Sequence, residues 1–174
     1  MFQARPIERA AKEEFYRELL QQLGSLLGEE RDPIANAANT SALLFQMMPD
    51  LNWAGFYFLR HDRELVLGPF QGRPACVRIP VGRGVCGTAV ERERSILVED
   101  VHAFPGHIAC DAASRSELVA PLIHNGGVLG VLDLDSPTAG RFDIDDQEAM
   151  ERAVSIYLAA SALEELPGAR AMSR

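Results

Sequence analysis

The apolar residues of this chain change their period once, near Pro49, and that change restricts the fold more than any other feature of the sequence. Before it, Phe15, Leu19, Leu20, Leu23, Leu26 and Leu27 recur at helical spacing under a charged face, which predicts an amphipathic helix over Pro6 to Leu27. Asp32-Pro33, a cap residue followed by a first-turn proline, opens a second helix that runs through Leu43, Leu44 and Met47 and stops at Pro49. After it the spacing is strand-like. Asn52 to Arg60 and Glu64 to Leu67 read as a hairpin turning at His61-Asp62-Arg63, and Ala75 to Val81 as a further strand. A short helix over Val85 to Arg94, a strand over Ile96 to Val98, strands over Leu118 to Ile123 and Val128 to Leu134, and a helix from Asp143 to Leu166 complete the order. Elements of both kinds, with no Pro/Ser-rich linker and no internal repeat, predict one α/β domain with a mostly antiparallel sheet.

Composition narrows the class. With 47 % hydrophobic and 24 % charged residues, a chain of 174 residues can bury a real core and needs no partner to fold. A net charge of −8 argues against binding to phosphate backbones, so nucleic acid is not an expected partner. The first residues run directly into charged helical sequence without the apolar stretch of a signal peptide, and no apolar run approaches the length of a membrane span. The expectation is a cytoplasmic protein without a membrane partner. In a reducing compartment its three cysteines, Cys76, Cys86 and Cys110, are poor material for a static disulfide framework.

Three groups of residues could carry chemistry. Gly82-Arg83-Gly84-Val85-Cys86-Gly87, with Glu99 further on, matches the dinucleotide fingerprint literally. The helix after it is too short for a parallel crossover, which leaves two readings: a plain turn, or a helix start whose free N–H groups hold a carboxylate or phosphate. Cys76, Cys86, His102, His107 and Cys110 are of zinc-binding type but lack the paired spacings of structural zinc sites, so no metal is expected. Cys76 and Cys86 sit among apolar residues, as buried cysteines do; Cys110 lies beside Asp111 in the irregular segment from His102 to Ser116, where an accessible thiol would be placed. Asp133 and Asp135 share one face of a strand. An odd-length Asn125-Gly126-Gly127 loop, or a bulged connection, pairs Glu117 with Asp135 and adds it to that face; a plain two-residue Asn-Gly turn puts it on the other. Strand-end solvation is the competing role for all three acids.

Taken together, the runs Asn52-Trp53-Ala54-Gly55-Phe56-Tyr57, Gly68-Pro69-Phe70-Gln71-Gly72, Gly82 to Ala89, Glu99-Asp100-Val101-His102, Gly106 to Ser114 and Gly130 to Ser136 resemble the free methionine-(R)-sulfoxide reductases built on a GAF domain. The similarity extends from about Phe15 to about Val154. The resemblance implies a single GAF-like domain over 1–174, with 1–10 and 167–174 as terminal extensions, and a six-stranded antiparallel sheet flanked by helices. It implies thioredoxin as electron donor, Cys110 as nucleophile, Cys76 as the principal resolving cysteine, Cys86 as an auxiliary thiol, and Trp53, Tyr57, Glu117, Asp133 and Asp135 as pocket residues. No cofactor is implied, and monomer and homodimer are both left open.

The implied chemistry has the Cys110 thiolate attack the sulfoxide sulfur while one of the clustered acids protonates the departing oxygen, giving methionine and a sulfenic acid that Cys76 resolves. For a free amino acid as substrate, Glu117, Asp133 and Asp135 would pair its ammonium, N–H groups near Gly84, Val85, Cys86 and Gly87 would hold its carboxylate, and Trp53 and Tyr57 would pack its methyl end. The competing class is a GAF domain that senses a small ligand without turning it over. A purely structural domain would tolerate loss of the cysteines.

Overall fold

In the computed structural model, residues 2–7, 11–61, 63–106 and 112–166 are described, and they build a six-stranded sheet of the α/β class flanked by helices. In chain order the elements are α1 (Lys12–Leu27), α2 (Pro33–Met47), β1 (Trp53–Arg60), β2 (Glu64–Gly72), β3 (Arg78–Pro80), α3 (Gly84–Arg92), β4 (Ile96–Val98), β5 (Ser116–His124), β6 (Gly127–Ser136) and α4 (Ile144–Ala160), with short 3₁₀ turns at Val101–Ala103 and Leu163–Glu165. The strand order is β3-β2-β1-β6-β5-β4, and every neighbouring pair is antiparallel.

Strand alternation sorts the core into two clusters. Ala54, Phe56, Phe58, Leu118, Ala120, Leu122, Leu132 and Leu134 project to the face covered by α2 and α4, with α1 stacked on α4. Trp53, Tyr57, Val119 and Val131 project to the opposite face, where α3 is the one covering helix among the described residues. That face is therefore only partly roofed, and its uncovered part holds the site.

Four local departures from the predicted elements have physical causes. α1 begins at Lys12 rather than Pro6, because the Arg5 backbone is already satisfied: its N–H donates to Gln22 Oε1 (2.8 Å) and its carbonyl accepts from Gln22 Nε2 (3.0 Å). α4 ends at Ala160 rather than Leu166, where Ser161 folds its hydroxyl back to the Tyr157 carbonyl (2.8 Å) and the Ala162 N–H bonds the Arg31 carbonyl (2.7 Å). β2 runs past Leu67 to Gly72 because Gly68 and Pro69 bulge together opposite Phe56, a position that tolerates the missing proline N–H. β3 is reduced to Arg78–Pro80 at the sheet edge.

The β5–β6 hairpin turns through two residues, Asn125 (φ 49°) and Gly126 (φ 78°), pairing His124 with Gly127. The loop is thus not the odd-length one. A bulge in β6, where Leu129 and Gly130 together oppose Leu122, advances the register, and from Pro121↔Val131 onward the pairing brings Glu117 opposite Asp135. The expected shared face of Glu117, Asp133 and Asp135 is realised, but through a bulge inside β6 rather than an odd-length or bulged connection at Asn125-Gly126-Gly127.

Candidate functional site

The register decides which side chains meet. Asp135 lies between Trp53 of β1 and Glu117 of β5, and one row along Asp133 lies between Gly55 and Val119. All three acids share the face of Trp53 and Tyr57, on the side of α3. Glu117 and Asp133 are each only 6 % exposed, whereas Asp135 is half-buried at the strand end. The strand-end solvation reading therefore describes Asp135 in part and the other two not at all.

Burial of two carboxylates side by side has an electrostatic consequence. Loss of solvation, with the charges of Asp133 and Asp135 added to it, pushes the Glu117 carboxyl well above the usual range. Burial lifts Asp133 from 3.8 to about 7, opposed by hydrogen bonds that favour its charged form. One of the pair thus keeps its proton near neutral pH, which is what a proton donor requires. Cys86, on the first turn of α3, has its thiol 3.9 Å from Glu117 Oε1. Burial first, then the charges of Asp133 and Glu117, push that thiol upward, so Cys86 is held as a neutral S–H.

The cleft over these acids is lined by Trp53, Tyr57, Arg73, Pro74, Ala75, Ile79, Gly84, Val85, Cys86, Ser114, Glu117, Asp133 and Asp135. Trp53 is the centre of an aromatic stack, 5.7 Å from the Tyr57 ring and 5.4 Å from that of Phe70. Both aromatics also peg the segment that carries Cys76. Trp53 Nε1–H donates to the Arg73 carbonyl (3.2 Å) and the Tyr57 hydroxyl donates to the Cys76 carbonyl (3.0 Å). On the far wall Arg83 supplies no side-chain cap to α3, so the N–H groups of Gly84, Val85 and Cys86 have neither a side-chain cap nor an intrahelical acceptor among the described residues. Gly87 differs: its N–H is taken by the Arg83 carbonyl (3.1 Å), and a Cβ there would sit 2.3 Å from the Pro80 carbonyl oxygen. It serves close helix–strand packing and lies outside the lining.

Cys76 is half-buried, Cys86 buried, and both are free thiols. His107 and Cys110 fall outside the described residues, although the base of their loop is closed by Val101 N–H to the Arg115 carbonyl (2.9 Å) and Arg115 N–H to the Ser136 carbonyl (2.7 Å). Among the described residues Cys76, Cys86 and His102 form no metal-binding cluster; the set that comes together is Cys86, Glu117 and Asp133. The dinucleotide reading fails on topology, since β3 and β4, the strands flanking α3, lie at opposite edges of a sheet without a parallel pair. Sequence reasoning did not find Arg73, Pro74, Ala75, Ile79 and Ser114; the one available signal was Arg73-Pro74, an extended dipeptide directly after a strand.

No helix among the described residues is long and apolar enough to cross a membrane. The family model of the GAF domain matches residues 40–164. The chain is 59 % identical over 138 residues to Protein YtsP of Bacillus subtilis, covering 79 % of this chain and 85 % of that one. It is 55 % identical over 144 residues to the free methionine-R-sulfoxide reductase of Escherichia coli, covering 83 % and 87 %. The solved structure of free methionine-R-sulfoxide reductase from Neisseria meningitidis in complex with its substrate superposes with a TM-score of 0.89 at 41 % identity, covering 98 % of this chain and 99 % of that one. A matching GAF-domain model over most of the chain, with this identity over most of both chains and the same fold, places the protein: it belongs to the GAF-domain family of free methionine-R-sulfoxide reductases.

Proposed function

We propose that this chain reduces free methionine (R)-sulfoxide to methionine with thioredoxin as electron donor. The observation that carries the reading is the buried pair Glu117 and Asp133, with Asp135 beside them, set across one cleft from the uncapped N–H groups of Gly84, Val85 and Cys86. A free amino acid carries an ammonium and a carboxylate, and the two walls match them in sign. The Trp53–Tyr57 stack supplies apolar surface for the S-methyl end. The names of the relatives at 55 % and 41 % identity point to the same substrate.

In this scheme the Cys110 thiolate attacks the sulfoxide sulfur, and the sulfoxide oxygen, protonated by the Glu117–Asp133 pair, ends on Cys110 as the sulfenic acid while methionine leaves. The Cys76 thiolate displaces that hydroxyl as water, forming a Cys76–Cys110 disulfide, and a thioredoxin dithiol exchanges with it to restore both thiols. The roles of Cys110 and Cys76 follow the family pattern, and Cys86, buried and neutral, acts as an auxiliary thiol. The reaction as written uses no cofactor and suits the reducing cytoplasm.

The test is turnover of free methionine sulfoxide, its N-acetyl derivative and an oxidised protein, coupled to NADPH through thioredoxin and its reductase. Activity confined to the free amino acid is expected, because blocking the amine leaves buried carboxylates unpaired. Equal rates on all three would overturn the enclosed-site reading. Tight binding of the free amino acid without any turnover would favour a ligand sensor.

A further inference from the structure

We propose that Cys86, Glu117 and Asp133 also form a site for one thiophilic divalent cation of the zinc type, occupied in exclusion of the substrate ammonium. Two observations on the geometry carry it. Each of the three residues offers a ligand atom within 4.8 Å of the other two, and Cys86 Sγ stands 3.9 Å from Glu117 Oε1. A tetrahedral zinc with ordinary Zn–S and Zn–O bonds needs a sulfur-to-oxygen separation of about 3.6 Å, so the Cys86–Glu117 pair closes with a shift of a few tenths of an ångström, and the carboxylate of Asp133 turns in from within 4.8 Å. Independently, Asp133 Oδ1 is buried with no hydrogen-bond partner among the described residues, in a residue only 6 % exposed that lines the cleft. A buried acceptor left empty in this way is rare, and a cation beside it supplies the missing partner.

The chemistry of the donor set selects the ion. Magnesium and calcium demand oxygen shells, whereas one thiolate with two carboxylates suits zinc, or cobalt as its spectroscopic stand-in. Three protein ligands leave a fourth position on the cleft side for water. On binding, the Cys86 S–H bond breaks, the sulfur lone pair goes to the metal and the proton to solvent; carboxyl protons leave likewise, and nothing is oxidised or reduced. Zinc and ammonium then compete for the same two carboxylates, which makes the ion an inhibitor of the reaction proposed above. The exclusion rests on that reading of Glu117 and Asp133 as the ammonium partners.

The experiment titrates the full-length, reduced, metal-free chain with Co²⁺, first in a Cys76→Ser/Cys110→Ser background where Cys86 is the sole thiol. A near-ultraviolet sulfur-to-cobalt charge-transfer band is expected there, displaced by Zn²⁺, which binds more tightly in the same site. Adding Cys86→Ser should abolish the band. Asp133→Asn, which keeps all three thiols and nearly the same volume, should weaken Co²⁺ binding at least tenfold in the wild-type background. No band in the double variant, or unchanged affinity in Asp133→Asn, overturns the site. Free methionine sulfoxide should raise the apparent Co²⁺ dissociation constant in proportion to its concentration. A Cys86-dependent band that substrate does not displace overturns the exclusion and the ammonium placement with it. A Cys86-dependent band together with a wild-type chain that reduces no sulfoxide leaves the metal site standing and removes the reductase reading instead.

Discussion

Asp133→Asn should make the protein more stable at pH 8 than the wild type while removing its activity, and the size of the gain follows from where the carboxyl sits. Burial holds the Asp133 carboxyl at about 7 in the folded protein against 3.8 for an ordinary aspartate. The folded state therefore binds this proton more tightly than the unfolded chain. The stability it contributes is fully present below about pH 4, falls as pH rises through 7, and is gone above. Each pH unit in that window is worth about 1.4 kcal/mol, so ionising Asp133 costs the fold up to about 4 kcal/mol, of which about 3 kcal/mol accrues between pH 5 and pH 8. Asparagine has the same shape and no charge, so it escapes the whole cost. Removing the charge also relieves Glu117, which Asp133 helps to push upward, and this adds to the gain at high pH. The assay is urea denaturation of wild type and variant at pH 5 and pH 8 under reducing conditions, comparing midpoints at equal slope. A variant-minus-wild-type difference that changes by less than about 0.5 kcal/mol between the two pH values would refute the buried, ionising carboxylate, since linkage leaves no other route for so small a change.

Three further outcomes are expected. Cys76→Ser should release about one methionine per enzyme and then stall or resolve slowly through Cys86, and sustained turnover at the wild-type rate in a rapid-quench experiment would remove Cys76 from the proposed resolution step. Trp53→Phe keeps an aromatic stacked between Tyr57 and Phe70 but deletes the hydrogen bond to the Arg73 carbonyl, so it should raise KM by roughly tenfold with the fold intact, as steady-state kinetics and circular dichroism will show. Asp146, fully buried, accepts from Tyr16, from Lys12 (2.6 Å) and from Arg141 (3.1 Å) where α1 meets the start of α4, and Asp146→Ala should cost about 3 kcal/mol in denaturant unfolding by taking the acceptor from the buried Tyr16 hydroxyl and from Arg141, while Lys12 keeps Asp143 (2.6 Å).

What could be read from the sequence was set by period and residue type. The helical spacing from Phe15 to Leu27 and the alternation through Val131, Asp133 and Asp135 both correspond to single faces of real elements, α1 burying that face against its neighbours and β6 turning it toward α3 while Leu132 and Leu134 fill the other. The pairing of Glu117 with Asp135 was harder, since the Asn125-Gly126 turn taken alone sets the opposite register and a bulge remote from the acids reverses it. Bulges leave no period. The helix ends at Lys12 and Ala160 were missed for a similar reason: the side chains that end them, Gln22 and Ser161, act from another turn or at the boundary itself rather than as recognisable caps. Likewise the cleft wall at Arg73 to Ala75 is placed by hydrogen bonds from Trp53 and Tyr57 to backbone carbonyls, which carry no residue signature of their own.

The same bulge yields the sharpest steric prediction, because Gly130 is the residue that lets β6 swell against β1. Gly130 pairs with Phe58, and a Cβ on it would lie 2.2 Å from the Tyr57 carbonyl oxygen and 3.0 Å from the Phe58 Cα. Both are backbone atoms, so no side chain can swing aside. Reaching ordinary contact at 3.4 Å requires β1 and β6 to part locally by about 1.2 Å. That opening falls three residues from the Gly55↔Asp133 pair, so it disturbs the ladder on which the acids and the Trp53–Tyr57 stack are mounted. Gly130→Ala should therefore cost about 1–3 kcal/mol in denaturant unfolding and weaken substrate binding together. The control is Gly24→Ala, in the last turn of α1 with no atom within 4 Å of the added methyl, where relief of backbone entropy should stabilise by about 0.5 kcal/mol. Opposite signs at the two glycines mark close strand approach as the cause. If Gly130→Ala behaved like Gly24→Ala, the bulge would not be where this register puts it, and the placement of Glu117 against Asp135 would fall with it.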